Sequence, residues 1–429
     1  MKIFNFKSQI IKVFLVFLFL LVSFSTSYSD VTNSDVTNAQ EFKNYITIEA
    51  SKYKKTFIRV PDFSGPKGKE IAELLRKLLN YHLFLTVLKS PPLPGFKAKE
   101  FYVKGKVEIK NQKLIVSAEI WNLLENKPIK LIKIKGEPEY LDFIVYRLCD
   151  RIIQVISKYK GLAQTKIAYI KHQLNYDILY LMFFSKKQKF ILDKGSIILF
   201  PKFSPSGRKI AYIKYNKFRK NYVLTILDLK NRKKRKFPFT NTICSPPVWS
   251  RDEKGIFLSL SNDENKMVIY YIDLKTFKSK KIFESSGVVQ VASISPNGKL
   301  LAYVQNVGLS PQIYIYNLAT HKKIKISFEK GYNTSPRFLN SNHKILYISR
   351  KGGFSNIIIK DIKNNTTTKI EVDFPIEDPA ISPDGNYILV WGKNRKEVGF
   401  YLIHLDSGLN FLYYIGKNIS SPTWASFPK

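Results

Sequence analysis

Cysteine is nearly absent from this chain. Two residues among 429, Cys149 and Cys244, exclude a disulfide-stapled scaffold and any four-cysteine zinc site. No apolar run reaches the roughly 20 residues that a membrane-spanning helix needs, so a polytopic membrane protein is excluded. Acid is scarce: 33 Asp and Glu stand against 70 Lys and Arg, a net charge of +37. The five histidines, His82, His172, His321, His343 and His404, show no H-x-H or H-x-x-x-H spacing. The nucleophile elbow G-x-S-x-G does not occur, and neither do the acidic ligands of a D-x-D-x-D-G calcium loop. What remains is 45% apolar and 24% charged. That is ample for packed cores in two to three domains and unlike a disordered chain.

The first residues read as an address. Lys2, Lys7 and Lys12 precede an apolar block over 13–22, and Ser23, Ser25, Thr26, Ser27 and Ser29 follow. This is the pattern of a secretory signal peptide over 1–29, cleaved near Ser29. An uncleaved anchor is the alternative. No cysteine lies near this end, so lipoprotein-type acylation is not available. Removing the segment takes away three Lys and leaves +34. Nucleic acid is the usual partner of such a balance, but an exported protein rarely meets it, so no nucleic-acid partner is expected. Anionic membrane surface or cell-wall polymer fits better, and a solvated surface with no partner is the plain alternative.

A period near 44 residues runs from the middle of the chain to its end. Phe203-Ser204-Pro205-Ser206-Gly207 is followed by an apolar strand, and Ile294-Ser295-Pro296-Asn297-Gly298 and Ile381-Ser382-Pro383-Asp384-Gly385 repeat the pattern. Val248-Trp249-Ser250, Arg337-Phe338-Leu339 and Thr423-Trp424-Ala425 are degenerate copies. A third strand follows in each repeat, ending on Asp228, Asp273, Asn317, Asp361 or His404, and a fourth comes next. Four short strands per repeat predict a β-propeller blade. Pro presets the turn and Gly closes it, while the Asp/Asn row caps the next turn. An orphan second strand at 166–170 precedes the first full copy, and the last first-strand signal, at 422–425, has no second strand after it. The two ends should therefore share one blade, giving six. Trp249 and Trp424 occupy an inner-strand slot filled elsewhere by Phe or Ile, which predicts packing between blades rather than sugar stacking.

Residues 30–44 are polar and read as a flexible arm. Over 45–160, strand-like runs at 45–49, 56–60, 84–88, 101–109, 114–121 and 129–134 surround two helical patterns. One is Ile71, Leu74, Leu75, Leu78 and Leu79; the other runs from Leu141 through Ile144, Leu148 and Ile152 to Ile156. Asn111-Gln112 marks a hairpin turn. Cys149 falls on the apolar side of the second helix and should be core; a Cys149–Cys244 disulfide stays open in an oxidising compartment. The expected organisation is a small N-terminal α/β domain (45–160) and a six-bladed β-propeller (161–429) closed by the C-terminal strand.

Signal peptide, α/β domain and closed propeller, in that order, resemble the TolB family of the Tol–Pal envelope system, as does the run Gln164-Thr165-Lys166-Ile167-Ala168-Tyr169-Ile170 at the join. The resemblance implies a monomeric, non-enzymatic periplasmic scaffold without cofactor that supports outer-membrane integrity and constriction at division. It implies docking of the peptidoglycan-associated lipoprotein Pal at the propeller rim, here Asn241, Thr242, Ile243, Gln290, Tyr332, Asn333, Thr334, Glu377, Asp378 and Ser420. It also implies contact of a TolA-like inner-membrane protein with the arm, here Asp30, Val31, Thr32, Asp35, Val36 and Thr37. The family is more polar where Ile243, Cys244 and Val291 stand. The competing class is an exported propeller enzyme or ligand binder acting on cell-wall saccharide or peptide.

Overall fold

The computed structural model describes residues 36–38, 44–95, 97–157, 159–185, 189–239, 245–262, 266–285, 287–307, 310–328 and 331–428. The signal segment, Asp30, Val31, Thr32, Asp35, Asn241, Thr242, Ile243 and Cys244 lie outside the described residues. No described helix is long and apolar enough to cross a membrane.

Among the described residues two short strands come first, β1 (Val36–Asn38) and β2 (Asn44–Ile48). A five-stranded sheet follows, built from β3 (Thr56–Arg59), β4 (Leu85–Leu88), β5 (Glu100–Lys110), β6 (Lys113–Asn122) and β7 (Lys127–Gly136) in the order β4-β3-β5-β6-β7. Asn111 and Gln112, at φ 50° and 60°, close the β5–β6 hairpin as a type I′ turn. One sheet face is covered by helices α1 (Gly68–Leu79) and α2 (Leu141–Ile156), whose apolar stripes face inward as the 3/4 spacing requires. Cys149 is a fully buried free thiol in this core, and burial pushes its pKa up.

Six four-stranded antiparallel blades form the rest. Blade one holds Lys166–His172, Asp177–Phe183 and Lys189–Gly195, and its innermost strand is Ile419–Trp424 from the other end of the chain. The register pairs Ile419 with Lys171 and Trp424 with Ile167. The innermost strands of blades two to six are Ile197–Phe203, Val248–Trp249, Val289–Ile294, Tyr332–Phe338 and Ile376–Ile381. The repeat motif is turn chemistry. Ser295 Oγ accepts the Leu300 N–H at 3.0 Å and donates to Asn297 at 2.7 Å, and Ser250 does the same for Gly255 and Asp252. Gly207, Gly298 and Gly385 take φ of 69°, 74° and 81° in those turns. Asp228, Asp273, Asn317 and Asp361 each accept two backbone N–H groups of the following turn. Trp249 and Trp424 are buried, with Nε1 donating to Lys202 O and Thr165 Oγ1.

Two features differ from the sequence expectation. The strand expected at 45–49 does not join the α/β sheet: β2 runs parallel to Thr366–Ile370 on the outer edge of blade five. Within the stretch read as a flexible arm, β1 runs parallel to Lys323–Lys325 on the outer edge of blade four. An open blade edge offers unpaired N–H and C=O groups, and these segments satisfy part of them. One apolar cluster joins the two halves: Tyr81, Leu83 and Phe84 after α1 meet Phe184, Tyr387, Phe400, Tyr413 and Trp424 of the propeller.

Candidate functional site

The innermost strands of a propeller surround its axis, so their side chains converge. Five of the six carry a register irregularity, between Leu199 and Lys202, Val291 and Ser293, Thr334 and Arg337, Glu377 and Ala380, and Ser420 and Thr423. In four of them a residue takes a positive φ just before a proline: Phe200, Ser335, Asp378 and Ser421, at 50–56°. A bulge of this kind bends the strand and re-aims the side chains beside it.

The described rim residues sit at or just before these bulges. Gln290, Tyr332, Thr334, Glu377, Asp378 and Ser420 are partly exposed on blades four, five, six and one. Asn333 is a correction: it has no exposed surface, and its Nδ2 donates to Gln312 Oε1 at 3.3 Å, so it braces the mouth rather than presenting a contact. Glu377 pairs with Arg350 at 2.9 Å, and Arg350 Nη2 also donates to Ile376 O at 2.7 Å. Burial raises the Glu377 carboxyl pKa against the pull of Arg350, and burial raises the Tyr332 phenol. Ser421 Oγ donates to Asp378 at 3.2 Å. Val36 and Thr37 of the arm are on β1, against blade four rather than at the mouth.

Sequence reasoning missed three parts of this mouth. His172 Nε2 lies 2.8 Å from Ser420 Oγ while its Nδ1 lies 2.8 Å from Asp177 Oδ1, and Asp177 Oδ2 accepts the Ile198 N–H. Arg350 was passed over because it falls on a second strand. Lys202 and Arg337 were passed over although each precedes the aromatic residue of its repeat, Phe203 or Phe338; stacking the repeats on that slot would have put the two cations together. Away from the mouth, a recess of about 360 Å³ at the join is lined by Arg147, Asp150, Arg151, Gln154, Lys160 and Phe427. Asp150 there is held by Ala163 and Gln164 N–H groups, and burial raises its pKa to about 6. No group of three or more His, Cys, Asp or Glu side chains among the described residues could hold a metal ion.

Comparison with known proteins places this arrangement. The TolB beta propeller domain family model matches residues 153–428. A Tol-Pal system protein TolB of Francisella tularensis is 30% identical over 232 residues, 50% of this chain and 52% of that protein. A TolB homolog of Chlorobium luteolum is 23% identical over 222 residues, 52% of this chain and 50% of the relative. The chain thus spans about half the length of the curated relatives it matches. The crystal structure of TolB from Acinetobacter baumannii superposes with a TM-score of 0.77 at 19% identity, covering 87% of this chain and 97% of that one. That likeness includes the α/β part and concerns the fold. With a six-bladed ring closed by its last strand and a family match across the whole propeller, this chain belongs to the TolB beta-propeller family.

Proposed function

We propose that the chain is a non-enzymatic periplasmic scaffold of a Tol–Pal system. Its propeller mouth binds a Pal-like lipoprotein and its arm, residues 30–44, binds a TolA-like inner-membrane protein, in support of outer-membrane integrity and constriction at division. The observation that carries the reading is the convergence of Gln290, Tyr332, Thr334, Glu377 and Ser420, from four blades, on one mouth. A partner seated there touches all of them at once. The stiff x-Pro bulges lower the ordering needed on binding. Titration calorimetry of the exported chain with the purified periplasmic domain of its own Pal-like lipoprotein tests this. Tyr332→Ala and Glu377→Lys should each weaken binding at least tenfold. Deleting 30–44 should abolish TolA-like binding and leave the lipoprotein bound; loss of both in a folded protein would contradict the division of labour.

A hydrolase is the second reading, and the Asp177–His172–Ser420 chain favours it. A carboxylate and a hydroxyl on opposite nitrogens of one imidazole is the arrangement that activates a serine nucleophile. In the scaffold reading the same chain pins the closing strand to blade one. A fluorophosphonate probe separates them: labelling of Ser420, lost in His172→Ala, would make the chain an enzyme.

A further inference from the structure

Lys202 is on the innermost strand of blade two and Arg337 on that of blade five, opposite positions in a ring of six. Each lies at a bulge; the Arg337 charge acts on Lys202 across the ring, and Asp378 of blade six acts on both. Residues from opposite blades come within such range only near the axis. The Arg337 guanidinium is fixed there. Its Nε donates to Pro379 O at 3.3 Å, and its Nη1 to Ala292 O and Pro336 O at 3.0 Å each, so carbonyls of blades four, five and six hold it. Lys202 is different. No hydrogen bond or ion pair reaches its ammonium among the described residues, and Asp378 is the acid whose charge acts on it. Asp378 is itself engaged by Ser421.

Two cations and one carboxylate thus face a shared axial space, with a surplus of one positive charge. Burial, then the Arg337 charge, brings the Lys202 pKa down to about 7 against the pull of Asp378, so a further anion beside it would favour the charged ammonium. An oxyanion supplies that negative charge, bridging the Lys202 ammonium and Arg337 Nη2, the nitrogen that none of the three carbonyls engages. We propose that Lys202 and Arg337 form an axial oxyanion site behind the propeller mouth, taking a carboxylate or phosphate group. The group comes either from a small solute or from an acidic side chain reaching in from the mouth. The site stands whether or not a lipoprotein docks at the rim.

The test is thermal unfolding and titration calorimetry of the full exported chain with inorganic phosphate and, separately, acetate, at constant ionic strength set with choline chloride. Saturable stabilisation by phosphate identifies the small solute as the source, and by acetate alone the side-chain carboxylate. Lys202→Met should weaken the apparent affinity at least tenfold. Asp378→Asn removes the competing charge and tolerates the positive φ, and should tighten it severalfold. Arg337 braces three blades, so Arg337→Lys, not a truncation, is its probe and should weaken binding with the fold kept. No saturation with either anion, or equal saturation in Lys202→Met, overturns the site.

Discussion

Protons at the join are decided by burial. His82 and His404 are 1% and 0% exposed, and Tyr53, Tyr159 and Tyr387 surround His404. Burial first, then the charge of His404, lowers His82 to about pKa 3; burial, opposed by Asp406, lowers His404 to about 4. Both values lie below the ordinary 6.5, so the unfolded chain takes up protons that the folded one refuses. Stability is full above pH 6.5 and falls as pH drops toward 4, by about 2 kcal/mol per histidine between pH 7.5 and 5. Asp150, raised to about 6, acts in the opposite sense over part of that window. His404 stands where other repeats carry Asp or Asn, so His404→Asn keeps the turn and should remove about half of the acid slope in urea unfolding. An unchanged slope would mean the pair does not govern acid lability. At Gly298 the constraint is the backbone alone: an added Cβ would meet nothing nearer than Arg251 Cγ at 3.6 Å. Gly298→Ala should therefore cost only the φ penalty, about 1 kcal/mol by denaturant titration. That glycine was legible in the Ser-Pro-x-Gly pattern. The histidine pair was not, because nothing local in sequence brings His82 beside a residue of blade six.

The closing strand is the element that most needs its partners. Ser420 bonds His172 across 248 residues of chain. In Ser420→Ala the loss should be about 1 kcal/mol, and amide exchange should quicken at Lys166–His172 while blades two to five stay protected. Uniform quickening would mean that the pin stabilises the whole ring rather than its seam. Helices, hairpins and blades were readable because each is written in local period and turn residues. β1 and β2 were misplaced because their pairings are parallel and remote, and a short polar stretch carries no mark of which open edge it will meet. The bulges left a trace, proline in one slot of successive repeats, that reads as turn chemistry until the register is seen.

Across the whole molecule, charge is the property that fold alone does not explain. Lys127, Lys130, Lys133 and Lys135 lie exposed along β7, an edge strand, and among the described residues only Lys127 of the four pairs with an acid, Glu125. Vesicles rich in anionic lipid should bind the chain at about 0.15 M salt and release it near 0.5 M, and Lys133→Glu with Lys135→Glu should weaken that binding in a co-sedimentation assay. Equal binding at both salts would remove electrostatics as the cause. The order of the parts and the number of blades were plain in the sequence. The chemistry of the mouth was not legible, since Arg337 comes within electrostatic range of Lys202, and Arg350 reaches Glu377, only once the ring curves.

Ring closure also sets a timetable. The strand that completes blade one is made after the five others, and in an exported chain it would cross the membrane after them. Until it arrives, Lys166–His172 has a bare edge, and joining such distant segments is slow because the intervening chain must already be ordered. A nascent propeller of this design is therefore held open at one seam until its last strand arrives, which is the interval in which a chaperone has something to hold.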